Sequence, residues 1–166
     1  MNDTLTRHHD PILRHWQDAV PNDRLAHLIR DAGRSLGHRL TPLLAEHGIP
    51  FGHWAFLRVL WDRDGLTQKE LSDAVGVTEP TTFAAVKALI DGGYITRRHE
   101  PGNKRKFYVY LTPEGASLRD VLVPLAEEVN RVAVKNIPRE QVIIMRTTLL
   151  KICLLYTSDA ADDCWS

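Results

Sequence analysis

The sequence predicts a mainly α-helical fold with one small β hairpin, and three observations support this prediction. Apolar residues recur at three- and four-residue steps in several stretches, which is the spacing of amphipathic helices. Two short helical patterns are separated by a glycine, Gly76. Two strand-like runs follow, joined by a basic loop with Pro101 and Gly102. This order indicates a winged helix-turn-helix, mainly α with a small β wing, flanked by N- and C-terminal dimerisation helices.

The overall composition favours no function. The proportions of 43% hydrophobic and 25% charged residues are close to those of an average globular protein. Formal net charge is zero, but between Arg97 and Lys106 there are five basic residues and one acid. No leader pattern and no apolar run of about 18 residues is present, so we expect a cytoplasmic protein outside the membrane. Two cysteines are too few for a disulfide framework or a closed zinc site, and we expect neither a metal nor a cofactor.

The N-terminal part predicts an arm followed by a long helix. Residues 1–22 are interpreted as an arm that orders against a partner or the body of the protein. From Asp23 the apolar spacing predicts an amphipathic helix through Leu44, kinked at Pro42 because proline removes a backbone donor. Glycines and a proline end this pattern, and residues 53–62 predict a second helix.

The helix-turn-helix is predicted by its caps. Thr67 and Glu70 have the spacing of a capping box, in which each side chain bonds a free amide of the first turn. This predicts a helix over residues 68–75. Gly76 ends it, because the turn needs a residue that tolerates positive φ. Thr78 is then predicted to cap the next helix.

The second of these helices is predicted to run to Asp91, with one buried and one exposed face. Its predicted buried stripe is Phe83, Val86, Leu89 and Ile90. The residues predicted to lie opposite that stripe are small or polar: Thr78, Thr81, Ala84, Ala85 and Ala88, with Lys87 at the flank. A small, polar face can enter a major groove, and the alternative is a merely solvated face.

The wing is predicted from residues 94–99 and 106–111, which have strand composition and are joined by a loop over residues 100–103. Its basic residues would contact phosphates or a narrow minor groove. The alternative is a charged hairpin that keeps a sheet edge soluble. After it, Thr112 is predicted to cap a long helix kinked at Pro124, and Pro138 opens a last helix to about Leu155.

The predicted domain organisation has four parts. They are an N-terminal arm and dimerisation helix over 1–48, a DNA-binding winged unit over 49–111, C-terminal dimerisation helices over 112–155, and a tail over 156–166. The tail is polar, acidic and unpatterned, and it is interpreted as non-native or disordered. The terminal helices carry more apolar surface than a small winged unit covers, which predicts a homodimer. The alternative is a larger intramolecular core.

The run LTQKELSDAVGVTEPTTFAAVKALIDGGYITRRHEPGNKRKFYVYLTPEG resembles the winged helix-turn-helix of the MarR family of bacterial transcriptional regulators, including the closing Leu111, Thr112 and Gly115. The similarity of layout covers residues 23 to about 155. It implies a cytoplasmic homodimer with interleaved terminal helices, and in many members release from DNA by phenolic or other aromatic acids. Two residues depart from the family pattern: Asn103 replaces an Asp in the wing, and Ala84 replaces an Arg in the recognition helix.

Pattern and resemblance together predict a sequence-specific regulator, most simply a ligand-responsive repressor, that binds a pseudo-palindromic duplex operator with half-sites about one helical turn apart. The alternative is a winged-helix protein-interaction module that does not bind DNA and meets an acidic partner. The candidate DNA contacts are Thr67, Gln68, Thr78, Glu79, Thr81, Thr82, Ala84, Ala85, Lys87, Arg97, Arg98, Asn103, Lys104, Arg105 and Lys106.

A site for a small aromatic effector is predicted near the second helix, where the resembling family places its pocket. The candidates are His38, Arg39, Phe51, His53, Trp54 and Arg58. A cationic side chain would pair with a carboxylate and Trp54 would stack on a ring. The alternative is that Trp54 belongs to the core and the histidines are solvated.

Catalysis has no support in the sequence. The motifs H-E-x-x-H and G-x-S-x-G, a P-loop and G-x-G-x-x-G are all missing, so we predict that the protein is not an enzyme. Cys153 lies in an apolar helical pattern, which predicts a buried, inert thiol, with a redox sensor as the alternative.

Overall fold

The structure, a computed structural model, describes residues 24–100 and 103–154, and for residues 100 and 103–106 it describes the backbone alone. The predicted N-terminal arm, the predicted tail and the tip of the wing at Pro101 and Gly102 lie outside the described residues. The chain divides into two compact units, the first ending at Arg39 and the second beginning at Leu40. The features below belong to the second unit unless the first is named.

The described residues form six helices and a small antiparallel sheet, which confirms the predicted fold class. The helices are α1 (Leu25–Ala45), α2 (Phe51–Asp62), α3 (Gln68–Val75), α4 (Glu79–Asp91), α5 (Pro113–Ala133) and α6 (Arg139–Leu154). The strands are β1 (Leu66–Thr67), β2 (Ile95–Glu100) and β3 (Asn103–Leu111), and β3 lies between the other two. None of the helices in the described ranges has the length and apolar character required to cross a membrane.

The core lies where the last turns of α1, helices α2 to α5 and the sheet meet. Apolar side chains from each of these elements are fully buried there. They include Leu44, Phe56, Leu57, Leu60, Leu66, Leu71, Val86, Leu89, Ile95, Val109 and Leu122. Helix α6 contributes no buried residue, and its Ile144 and Leu150 are 65% and 60% exposed. In a single chain α6 therefore does not complete a larger intramolecular core, which was the alternative to a dimer.

Helix α3 begins and ends as its sequence predicts. The hydroxyl of Thr67 accepts the Glu70 amide at 3.2 Å, and the Glu70 carboxylate accepts the Thr67 amide at 2.8 Å, which completes the capping box. Gly76 ends the helix in the left-handed region, at φ 75°, and its amide donates to the carbonyl of Ser72. The Ser72 hydroxyl donates to the carbonyl of Val77 at 2.7 Å. The turn between α3 and α4 is therefore stabilised by a backbone hydrogen bond and by a side-chain hydrogen bond.

The second wing strand is longer than predicted, whereas the first has the predicted length and is shifted by one residue. The prediction ended the first strand at His99 and began the second at Lys106, with a loop over residues 100–103. In the structure β3 begins at Asn103 and pairs with Glu100, after an irregularity in register between His99 and Glu100. The prediction was wrong because the basic residues before Phe107 have weak strand composition, whereas their pairing is set by the partner strand β2.

The base of the wing is fastened to the start of α5. Thr112 caps that helix as predicted, since its hydroxyl accepts the Gly115 amide at 3.1 Å, and it also donates to the carbonyl of Gly93 at 2.7 Å. The Thr112 amide donates to the carbonyl of Tyr94 at 3.0 Å. Any side chain at position 115 would clash with that Tyr94 carbonyl. Glycine is required there because helix and loop approach so closely.

Candidate nucleic-acid interface

Helix α4 turns a different face to the core from the one predicted. Its buried residues are Thr82, Ala85, Val86 and Leu89, at the i, i+3, i+4 and i+7 positions of one helical face. Phe83, which was expected in the buried stripe, is 52% exposed. Val86 and Leu89 belong both to the predicted buried stripe and to the buried face that is observed. Hydropathy alone therefore did not decide which of their neighbours is buried.

Burial removes two of the candidate DNA contacts. Thr82 is fully buried and Ala85 is 4% exposed, so neither side chain can reach a ligand outside the protein. A polar residue is tolerated in the core because the Thr82 hydroxyl donates to the carbonyl of Thr78 at 3.2 Å. These small side chains let α4 approach the core closely, which a phenylalanine in the same place would prevent.

The exposed face of α4 is small and carries little charge. Thr81, Ala84 and Ala88 are exposed, as predicted. Thr78 occupies the cap position, but its hydroxyl is 2.9 Å from the Thr81 hydroxyl and makes no capping bond to an amide. The Lys87 ammonium lies 3.4 Å from the Asp91 carboxylate, so its positive charge is partly compensated.

The wing presents two arginines on aromatic side chains. The guanidinium of Arg97 lies 5.1 Å from the ring centre of Phe107, and that of Arg98 lies 4.6 Å from the ring centre of Tyr110. Both arginines are exposed. Because side chains alternate along a strand, Arg97 shares the face of the buried Val109, and Arg98 lies on the opposite face. Such contacts restrain long side chains while leaving the charge accessible.

Other predicted contacts have different surroundings. Thr67 and Gln68 are half-buried, with the Thr67 hydroxyl engaged in the capping box, while Glu79 is exposed in the first turn of α4. The side-chain oxygen of Gln68 is buried and has no hydrogen-bond partner within the part of the chain that the structure describes. The side chains of the remaining four candidates, Asn103, Lys104, Arg105 and Lys106, lie outside the description, so their roles stay predictions.

A surface cleft of ≈ 180 Å³ separates α4 from β2. It is lined by Phe83, Val86, Lys87 and Ile90, with Asp91 and Arg97. Apolar side chains therefore lie beside two cations and one carboxylate, at the junction of the helix and the wing.

The sequence did not point to the residues that orient the wing. The carboxylate of Asp64 accepts the Gly65 amide at 3.0 Å and the Leu111 amide at 2.9 Å, which joins the end of β3 to the turn before β1. Phe107 and Tyr110 support the two arginines. The Asp-Gly turn and the alternating aromatic residues of β3 were available signals, but their use depends on cross-strand register.

Around α2, the structure brings together two of the predicted effector-site residues. The Arg58 guanidinium lies 5.7 Å from the ring centre of Trp54, and Trp54 packs edge to face on Trp61 with ring centres 5.6 Å apart. Trp54 also packs against the core, as the alternative interpretation expected. His53 is half-buried, and this burial lowers its pKa from the ordinary value. Phe51 is exposed on the same helix.

His38 and Arg39 are exposed on α1, in the first unit. Cys153 is exposed on α6, so the prediction of a buried thiol is wrong for the single chain. The helix that carries it buries none of its residues, and its apolar pattern does not mark a core position. In the described ranges no cluster of three or more His, Cys, Asp or Glu side chains could hold a metal ion.

A family model described as MarR family matches residues 47–106. An uncharacterised HTH-type transcriptional regulator of Staphylococcus aureus (strain Mu50) is 30% identical over 102 residues, which cover 60% of this chain and 70% of the relative. The match thus extends beyond the winged unit itself.

Two solved structures share the fold. A protein of Listeria monocytogenes, assigned to the MarR family and solved in complex with a 26mer DNA, is 22% identical with a TM-score of 0.71, covering 84% of this chain and 90% of that one. Bordetella bronchiseptica BpsR, whose DNA binding is regulated by 6-hydroxynicotinic acid, is 20% identical with a TM-score of 0.73, covering 79% and 99%.

Proposed function

This chain belongs to the MarR family of transcriptional regulators, and we propose that it is a cytoplasmic, sequence-specific repressor that binds duplex DNA as a homodimer and is released by a small aromatic acid or phenolic compound. In this proposal the winged unit over residues 49–111 binds DNA. The flanking helices, in the segments 1–48 and 112–155, form the dimer.

The observation that carries the proposal is the small exposed face of α4 next to a wing that exposes Arg97 and Arg98 on its two faces. Thr81, Ala84 and Ala88 form a face small enough for the helix backbone to approach base edges closely. Arg97, which lines the cleft beside α4, and Arg98, on the opposite face of the wing, are both exposed and can neutralise phosphates. A helix in the major groove with a basic hairpin along the flanking backbone uses both features at once.

The wing tip extends this surface in the proposal. Lys104, Arg105 and Lys106 follow Asn103 along β3 and add three charges to those of β2. Arginine is favoured where a narrow minor groove strengthens the negative potential, so we assign Arg105 and its basic neighbours to the flanking minor groove or phosphates.

The exposed apolar surface of α6 supports the dimer. Ile143, Ile144 and Leu150 are all more than half exposed in the single chain. A patch of this kind is covered in an assembly, and a second copy of the same chain would cover it symmetrically. Two copies would then present two α4 helices to half-sites about one helical turn apart.

The effector site is placed around Trp54 and Arg58. A guanidinium beside a half-buried indole offers both a partner for a carboxylate and a surface for an aromatic ring. The regulation of the Bordetella neighbour by 6-hydroxynicotinic acid supports this class of ligand. Phe51 and His53, on the same helix, are further candidates, while His38 and Arg39 of the first unit stay predictions from the sequence.

DNA binding is tested by fluorescence anisotropy with the full-length protein and the duplex upstream of its own gene. We expect tight binding to that duplex, weaker binding to a scrambled duplex of the same composition, and steep weakening with added salt. Replacing both wing arginines, Arg97→Ala with Arg98→Ala, should weaken binding to both duplexes. Lys135→Ala, which removes one charge between α5 and α6, is the control. Equal affinity for the two duplexes would contradict sequence-specific regulation of this gene.

Effector binding is tested by thermal denaturation with 6-hydroxynicotinic acid and a series of hydroxybenzoic acids. A ligand that binds the folded dimer raises its melting temperature by mass action. The same ligand should release the DNA, and Arg58→Ala should abolish both effects. Amides of the same acids, which lack the negative charge, are the matched controls. No shift and no release with any of these acids would refute this class of effector.

A further inference from the structure

Phe83 presents an aromatic ring to solvent on the surface of α4. It is the one aromatic residue of α4, and 52% of it is accessible. Val86 and Leu89 of the same helix are buried in the core. A single exposed apolar residue is common on protein surfaces, so its meaning depends on its neighbours.

The neighbours of Phe83 place it at the edge of the surface assigned to DNA. At about 100° per residue, Phe83 lies on the side of the exposed face nearer the wing, and Ala84 lies toward its centre. Phe83 lines the cleft between α4 and β2 together with Lys87 and Arg97. Both cations suit the phosphates that flank a helix in the major groove. Asp91 also lines the cleft and lies 3.4 Å from Lys87, so the positive charge available to a nucleic-acid backbone beside the ring comes mainly from Arg97.

The chemistry of the ring limits what it can read. Phenylalanine has no hydrogen-bond donor or acceptor, so it gains little from the polar edges of guanine, cytosine or adenine. The major groove offers one apolar group, the 5-methyl of thymine, and apolar side chains discriminate thymine through that methyl. Ala84, the residue after Phe83, is exposed and small, and it leaves room for the ring to approach the base edge.

We propose that Phe83 is a specificity-determining residue that contacts the 5-methyl group of one thymine in each half-site. This inference rests on the proposed function, because it requires α4 to lie in a major groove. The contact would add a preference for thymine at one position, which the small and polar residues on the exposed face of α4 do not supply.

The test removes the methyl group from the DNA and the ring from the protein, separately and together. An operator is first selected from a pool of random duplexes with the full-length wild-type protein. Each thymine is then replaced in turn by deoxyuridine, which lacks only the 5-methyl, and dissociation constants are measured by anisotropy. Melting curves of Phe83→Ala check that the variant is folded, which we expect because the ring is largely exposed.

We expect one thymine in each half-site at which deoxyuridine weakens wild-type binding about fourfold, the effect of burying one methyl group. Phe83→Ala should bind the unmodified operator at least that much more weakly and should be insensitive to deoxyuridine at that position. Phe83→Leu, which keeps an apolar side chain, should retain part of the sensitivity. The loss of affinity caused by removing the thymine methyl and the loss caused by removing the Phe83 ring would then be coupled, not additive.

Three results would overturn the inference, and they differ in whether DNA binding still stands. If an operator is selected but no deoxyuridine substitution weakens binding, or if Phe83→Ala shows the same methyl sensitivity as the wild type, Phe83 does not read thymine and DNA binding stands. If the wild-type protein selects no operator, the proposed function fails together with the inference.

Discussion

Helix α4 and the wing lie side by side, but different forces hold their exposed side chains in place. Helix α4 is fixed by burial, with Thr82, Ala85, Val86 and Leu89 against the core. The wing beyond the core is fixed by cross-strand pairing, and its arginines are restrained by contacts with the rings of β3. Buried packing contributes several kcal/mol for one large side chain, whereas an exposed cation on a ring contributes about 0.5 to 1 kcal/mol.

This difference separates two roles in the proposed complex. A helix held by its core face presents a rigid exposed face, which suits discrimination among base edges by shape. Arginines held by weak contacts can adjust to a phosphate backbone whose position varies with sequence. The helix therefore supplies fit and the wing supplies charge, and each role can be disturbed separately.

The largest effect is expected when the core face of α4 is disturbed. Leu89→Ala removes a side chain that is 1% exposed and leaves a cavity, so we expect the free energy of unfolding to fall by about 2 to 5 kcal/mol. Chemical denaturation measures this loss. Ala88→Ser, an exposed neighbour on the same helix, is the control and should change stability by less than about 1 kcal/mol. Similar losses in the two variants would show that burial does not position α4.

The next effect concerns the exposed face of the same helix. Ala84→Glu places a carboxylate on the face of α4 that is proposed to meet DNA. Like charges in an interface cost several kcal/mol, so affinity should fall on the order of 100-fold. Stability should change little, since position 84 is exposed. The neutral Ala84→Gln has nearly the same shape and should lose much less affinity in the same anisotropy assay. Equal losses with Glu and Gln would mean that size, not charge, limits the approach.

A smaller effect distinguishes the two cap residues. Thr67 ends β1 and caps α3 with its hydroxyl, so Thr67→Ala should cost about 1 kcal/mol of stability. Thr78 stands at the cap of α4 without a capping bond, and Thr78→Ala should cost less. Denaturation of the two variants under the same conditions decides the order. A larger loss at Thr78 would contradict the arrangement of hydroxyls described here.

The smallest effect tests the aromatic support of the wing. Tyr110→Leu removes the ring beneath Arg98, and the loss of about 0.5 to 1 kcal/mol corresponds to binding about two- to fivefold weaker. Tyr110→Phe keeps the ring and should bind DNA like the wild type. If Phe weakened binding as much as Leu, the hydroxyl and not the ring would matter.

Features set by neighbouring residues could be predicted from the sequence. The capping box of Thr67 and Glu70, the left-handed Gly76 and the cap at Thr112 depend on residues a few positions apart, and all three are confirmed. The order of helices and strands follows from the same local signals. The match to MarR-family proteins then confirms the family that the winged unit resembled.

Features set by contacts distant in the chain could not be predicted. Thr82 and Phe83 are adjacent, and hydropathy favours burying the ring, but the Thr78 carbonyl satisfies the buried hydroxyl and close packing favours the smaller residue. Which aromatic ring lies next to Arg97 and which lies next to Arg98 is set by the register between β2 and β3, and the sequence alone does not determine that register. Cys153 is exposed because no element in the described ranges buries α6.

The division between fit and charge is tested most directly by the salt dependence of binding to the selected operator and to a scrambled duplex. Arg98→Ala should weaken both complexes and reduce the slope of log affinity against log salt by about one, because one phosphate contact is lost. Thr81→Ala should weaken the operator complex alone and leave the slope unchanged. A slope unchanged by Arg98→Ala, or reduced by Thr81→Ala, would contradict the assignment of charge to the wing and fit to the helix.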